Sequence, residues 1–114
     1  MARNPAWTCE EIILATELYV DVEGKWLGPR HPKAIELSKV LNKLPIHAKE
    51  RRAERFRSPE SVGLKLVNIR AVDPSRQGGQ PHGSRLDGLF WDKFGGDATE
   101  LRKAASLIRR KYGI

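Results

Sequence analysis

The stretch RSPESVGLKLVNIRAVDP, residues 57–74, constrains the fold more than any other part of the chain. A Ser-Pro start and a Pro stop mark it as a helix. Ser58 can cap, Pro59 fits a first turn where its missing N–H is no loss, and Pro74 cannot continue the run. At 3.6 residues per turn the side chains fall into stripes. Val62, Leu66 and Ile69 line one side, and Leu64, Val67 and Ala71 line nearly the opposite one. A helix apolar on two sides is expected to pack on two sides. What remains for a partner is a narrow polar strip of Ser61, Lys65 and Asn68. Such a helix is either a reading helix gripped by its neighbours or the central helix of a bundle.

The rest of the chain also reads as helices. Thr8 and Glu11 form a capping-box pair, Trp7 and Ile12 a hydrophobic staple, and the following run is apolar on almost every side, so the first helix should be mostly buried. DVEGKWLGPRH breaks it. Pro32 opens a second helix to about Leu44, with Leu37, Val40, Leu41 and Leu44 inward and Lys33, Lys39 and Lys43 outward. Residues 46–57 form a basic connector with one anchor, Phe56. The segment SRQGGQPHGSR, residues 75–85, has no aliphatic side chain and is expected to be a flexible Gly-rich loop. Ser84 and Asp87 introduce a short helix carrying Leu86, Leu89, Phe90, Trp91 and Phe94. Asp97 and Glu100 then cap the last one, and Gly113 stops it. No segment alternates as a strand. The expectation is an all-α chain, a single domain over residues 1–114, built as a compact bundle of about five helices with a helix-turn-helix-like core.

Charge narrows the choice of partner. The chain has 21 Lys+Arg against 14 Asp+Glu, a formal +7, which favours a polyanion. Residues 1–24 carry one cationic and five anionic side chains, whereas KERRAERFR, residues 49–57, concentrates five cations in nine residues. An acidic side is therefore expected opposite a basic face formed by the second helix, the connector and the C-terminal helix. On that face Arg51, Arg52, Arg55 and Arg57 are expected to neutralise phosphates, with Arg76 and Arg85 flanking loop backbone that can donate to them. The single cysteine excludes an internal disulfide and suits a reducing compartment. No apolar run approaches membrane-spanning length, and MARNPAW has no apolar signal segment, so a soluble cytoplasmic protein is expected.

Catalytic parts do not converge. His31, His47 and His82 stand apart without zinc-ligand spacing, so neither a metal nor a cofactor is expected. Cys9 is read as a small buried side chain beside Trp7 and not as an activated thiol. GGQPHG matches no phosphate-binding glycine motif. For Trp26, Phe56, Trp91 and Tyr112, core packing is preferred to base stacking. No catalytic residue is assigned, and the chain is not expected to be an enzyme by itself.

WTCEE at the head of the first helix, followed by a second helix and RSPESVGLKL, resembles the tri-helical Myb-like helix-turn-helix. A longer resemblance rests on NPAWTCEEIILATELY, HPKAIELSKVLNKLPIH, RFRSPESVGLKLVNIRAVDP and LDGLFWDKFGGDATEL, which are similar to the N-terminal module ahead of HNH nuclease domains in bacterial restriction endonucleases. Its most specific segment runs from Phe56 to Pro74. The resemblance implies a targeting part that binds duplex DNA, with methylated cytosine among the features it senses, and an HNH nuclease domain in the same natural polypeptide. No His-Asn-His segment occurs up to Ile114, so nuclease activity is not carried over. In this reading Asn68 pairs with adenine, Lys65 donates to guanine and Ser61 approaches base edges or phosphate. A methylated base would need an apolar surface in the major groove or, once flipped, a pocket. The alternative is a helical protein-interaction module whose basic face meets an acidic partner.

Overall fold

Capping chemistry decides where each helix begins. In the computed structural model, which describes residues 4–74, 85–94 and 96–114 without the side chains at 85 and 86, five helices follow one another: α1 (Cys9–Asp21), α2 (Pro32–Lys43), α3 (Pro59–Val72), α4 (Arg85–Phe94) and α5 (Ala98–Tyr112). Thr8 closes the expected capping box on α1, its hydroxyl accepting the Glu11 N–H at 3.3 Å while its own N–H donates to the Glu11 carboxylate at 2.9 Å. Ser58 accepts the Ser61 N–H and Asp97 the Glu100 N–H, and Gly113 takes the left-handed cap of α5 at φ 69°. α2 has an unforeseen cap, the His31 imidazole, which accepts the Lys33 N–H at 3.1 Å. The described residues contain no strand, so the chain is all-α.

α1 touches all four other helices. That position explains why it is apolar nearly all round: Ile12, Leu14, Ala15 and Tyr19 are buried on it, joined in the core by Leu37 and Leu41 of α2, Val62, Leu66 and Ile69 of α3, and Ala105 and Ile108 of α5. The acidic residues of α1 are not a free surface. Glu10 takes a hydrogen bond from Tyr112 and the Lys111 ammonium at 3.1 Å, Glu17 pairs with Arg109 at 2.7 Å, and Asp21 with Lys33. Part of the basic character of α5 is thus matched inside the molecule. Among the described residues, every buried side-chain nitrogen and oxygen has a hydrogen-bond partner.

α3 is gripped by α1, α2 and α4, while α5 packs on α1 and α4. α2, and not the last helix, completes the grip on α3. Tyr19 donates to Asp73 at 2.6 Å, tying α1 to the end of α3. Gly63 is buried where the chain before α2 crosses α3, and a Cβ there would lie 2.8 Å from the Leu27 carbonyl oxygen. Although α1, α2 and α3 touch one another, the link between α2 and α3 is far longer than the three- or four-residue turn of a helix-turn-helix.

Candidate nucleic-acid interface

The face that α3 leaves open is not the one its stripes suggest. Val62, Leu66 and Ile69 are buried as expected, but Leu64 and Val67 are 66% and 45% exposed. The two-sided packing is corrected accordingly: α3 buries one apolar stripe and presents the other. Around Leu64 and Val67 stand exposed Glu60 and Arg70, with half-buried Ser61, Asn68 and Ala71 at the edge.

Lys65 leaves the polar strip altogether. It is buried, its ammonium 3.3 Å from both oxygens of the buried Asp87 of α4 and 5.2 Å from the centre of the Trp7 ring. The reason is electrostatic: an ammonium leaves water only against a carboxylate, and here α4 supplies one. Lys65 holds α4 onto α3 and is not available to guanine.

The four arginines of the connector separate into two pairs. Arg57 is only 3% exposed. Its guanidinium grips the buried Glu11 carboxylate in a fork, Nε to Oε2 at 2.7 Å and Nη2 to Oε1 at 3.0 Å, and donates to the carbonyls of Pro5 and Ala6. Trp7 and Phe56 lie against it at 4.7 and 4.5 Å from their ring centres, and His47 Nε2 sits 2.9 Å from the same Oε1. Burial pushes the Glu11 carboxyl up, but hydrogen bonds from Arg57, the Thr8 N–H and His47, with the Arg57 charge, hold it below its ordinary value. Arg52 closes the end of α2, donating to the carbonyls of Asn42 and Leu44 at 2.8 Å and of His47 at 3.2 Å. The phosphate role expected of Arg57 is therefore corrected to a structural one, while Arg52, half-buried, is engaged by the end of α2.

Arg51 and Arg55 stay outside. Arg51 ends a single 3₁₀ turn, Lys49–Arg51, and is exposed with Lys49. Arg55 pairs with Glu60 on the first turn of α3, at 3.6 Å, with both side chains largely in water. The backbone creates this division. Arg55 and Arg57 have φ of 63° and 46°, a conformation that costs a non-glycine residue about 1–3 kcal/mol and persists only where its surroundings fix it. They do: Asn4 binds the backbone of Ala53 and Glu54, while Ser38 and Asn42 of α2 bind the carbonyls of Arg57 and Phe56. The turn throws Arg57 inward and leaves Arg55 beside the open face of α3.

Two further expectations change. Cys9 is exposed and not buried. Trp26, expected in the core, is 69% exposed in the loop before α2, whereas Phe56 is buried and Trp91 packs edge-on against Tyr19. Arg76, the Arg85 side chain and most of the Gly-rich 75–85 segment lie outside the described residues. No group of three or more His, Cys, Asp or Glu among the described residues is placed to hold a metal ion, and no described helix is long and apolar enough to cross a membrane. No protein-family model, no curated protein and no solved structure matches this chain.

Proposed function

We propose that this chain is a DNA-binding module that lays the open face of α3 in the major groove of duplex DNA, as the targeting part of a bacterial HNH-type restriction endonuclease acting in the cytoplasm. One observation carries the reading. α3 is fixed by three helices yet turns Leu64, Val67 and Arg70 outward, with Ser61 and Asn68 at the edge, exposed Arg55 beside Glu60 at its N-terminal end and exposed Arg51 in the connector before it. A major groove about 12 Å wide admits one helix. Asn68 offers the donor and acceptor that match adenine, and Ser61 a hydroxyl for a base edge or phosphate. Leu64 and Val67 offer apolar contact to the C5-methyl group of thymine or, in modified DNA, of 5-methylcytosine. Arg51, Arg55 and Arg70 neutralise phosphates, a sequence-independent contribution that weakens with salt. Arg52, Arg57 and Lys65 act indirectly, by holding α3 in place.

The same exposed aliphatic pair favours a second reading. An apolar centre with a charged rim is also how protein interfaces are built, which suits a protein-interaction module for an acidic partner. Fluorescence anisotropy with duplex DNA, single-stranded DNA and RNA at two salt concentrations separates the two. A DNA module binds duplex with an affinity that falls steeply with salt, and matched methylated and unmethylated pools then report whether the methyl group is read. Absence of duplex binding at low salt would overturn the DNA-module reading, and absence of binding to all three nucleic acids would leave only the protein-interaction reading.

A further inference from the structure

Trp26 is the most exposed of the large hydrophobic side chains described, and the loop that carries it is well anchored. At one end Gly24, with φ 72°, donates to the Tyr19 carbonyl at 2.9 Å; at the other His31 donates to the Gly28 carbonyl at 3.0 Å. Between them Leu27 is buried, and its carbonyl meets α3 at Gly63. The indole lies over Gly28. A Cβ on Gly28 would lie 3.2 Å from Trp26 Cη2 and 3.4 Å from Cζ3, so the six-membered ring rests where glycine leaves room. Among the described residues no cation lies over this ring, unlike that of Trp7.

Around the indole the chemistry is that of a nucleotide contact. Lys25 and Arg30 are exposed in the same loop. A cleft of about 320 Å³ opens beside the ring, lined by Val22, Glu23, Lys25, Leu27, His31 and the Asp21–Lys33 ion pair as well as the indole. A planar apolar wall suits a base that stacks, and Lys25 and Arg30, exposed in the same loop, are the cations that would neutralise its phosphate. Paired bases in a duplex are already stacked on their neighbours, so the ligand is a base without a partner. We propose that Trp26 is a stacking platform for an unpaired nucleobase at the edge of the duplex that α3 contacts. The duplex in this statement rests on the DNA reading above; the platform rests on the loop geometry.

The test uses the full chain and three labelled DNAs: a fully paired duplex, the same duplex with a single-stranded 3′ overhang, and a single strand. A 2-aminopurine in the overhang reports stacking by quenching. Wild type, Trp26→Ala and Trp26→Phe are compared, with thermal melting to verify that both variants fold, as an exposed position predicts. Stacking on an aromatic side chain changes affinity by roughly 5- to 150-fold per base. Wild type should therefore prefer the overhang duplex by about tenfold, with 2-aminopurine quenched. Trp26→Ala should lose the preference and the quenching while binding the paired duplex as before, and Trp26→Phe should keep most of both. Equal binding of paired and overhang duplex by wild type and Trp26→Ala overturns the platform while leaving the DNA reading intact. Trp26-dependent binding of the single strand without duplex binding supports the platform and removes the duplex reading. If wild type binds no nucleic acid, both fall and the indole becomes a protein contact.

Discussion

Arg55 and Arg57 stand two positions apart with the same unusual backbone sign, yet one points to water and the other is buried against Glu11. Their substitution should therefore read out differently. Arg57→Ala strands a buried carboxylate, and breaking one partner of such a pair costs about 3–5 kcal/mol, which urea unfolding would show. Arg55→Ala should leave stability nearly unchanged. Glu11 adds a pH signature. Its folded pKa is the lower one, so the stability it supplies is complete above its unfolded value, near 4.5, and is lost as pH falls through the folded value. Glu11→Gln should be less stable at pH 7 and show a shallower loss of stability on acidification; an unchanged acid limb would remove the carboxylate from this role. Glu11 was legible only as a cap. Nothing in local spacing shows that a capping carboxylate also takes a guanidinium from 46 residues further along the chain. Lys65 misleads in the same way, since a helical lysine reads as solvated until a carboxylate on another helix is seen beside it.

For the helices as elements, starts and stops were written in the caps: Thr8, Ser58, Asp97 and Gly113 act where the sequence places them. The open face of α3 was not legible, because periodicity identifies two apolar stripes and cannot say which one a neighbour covers. The consequence is measurable. Leu66→Ala should cost about 2–5 kcal/mol, whereas Val67→Ala should change stability by no more than about 0.5 kcal/mol. A large loss for Val67→Ala would mean that this face is packed after all. Gly63→Ala tests the crossing with the loop before α2. Its Cβ meets a backbone carbonyl that cannot rotate away, so overpacking of about 1–3 kcal/mol is expected in a thermal melt. Much of the Phe56–Pro74 segment proves to be the machinery that fixes α3: Phe56, Arg57, Val62, Lys65, Leu66, Ile69 and Asp73 are all buried. Ser61, Leu64, Val67, Asn68 and Arg70 are left to meet a partner.

Across the whole molecule the net +7 is a misleading guide to location. The acidic first helix does not form a separate acidic side, because Glu10, Glu11, Glu17 and Asp21 are matched by cations from α5, the connector and α2. Arg57, being buried, is lost to any outside partner, while the charges of Lys33, Arg109 and Lys111 are only partly offset in solvent-exposed pairs, and the exposed cations set the field. Replacing Arg51, Arg55 and Arg70 together with Ala should weaken duplex binding on every sequence and flatten its salt dependence by about one unit of slope for each phosphate no longer neutralised, with the fold intact. An unchanged slope would place the phosphates elsewhere. The central claim, that the open face of α3 reads bases, is tested most directly by selection from a randomised duplex pool containing both cytosine and 5-methylcytosine. Wild type is compared with the folded Leu64→Ala, Val67→Ala and Asn68→Ala variants. The account predicts that each variant relaxes preference at one position, losing about 1–3 kcal/mol on the best site with little change on non-specific DNA. Identical preferences and affinities for wild type and all three variants would contradict it.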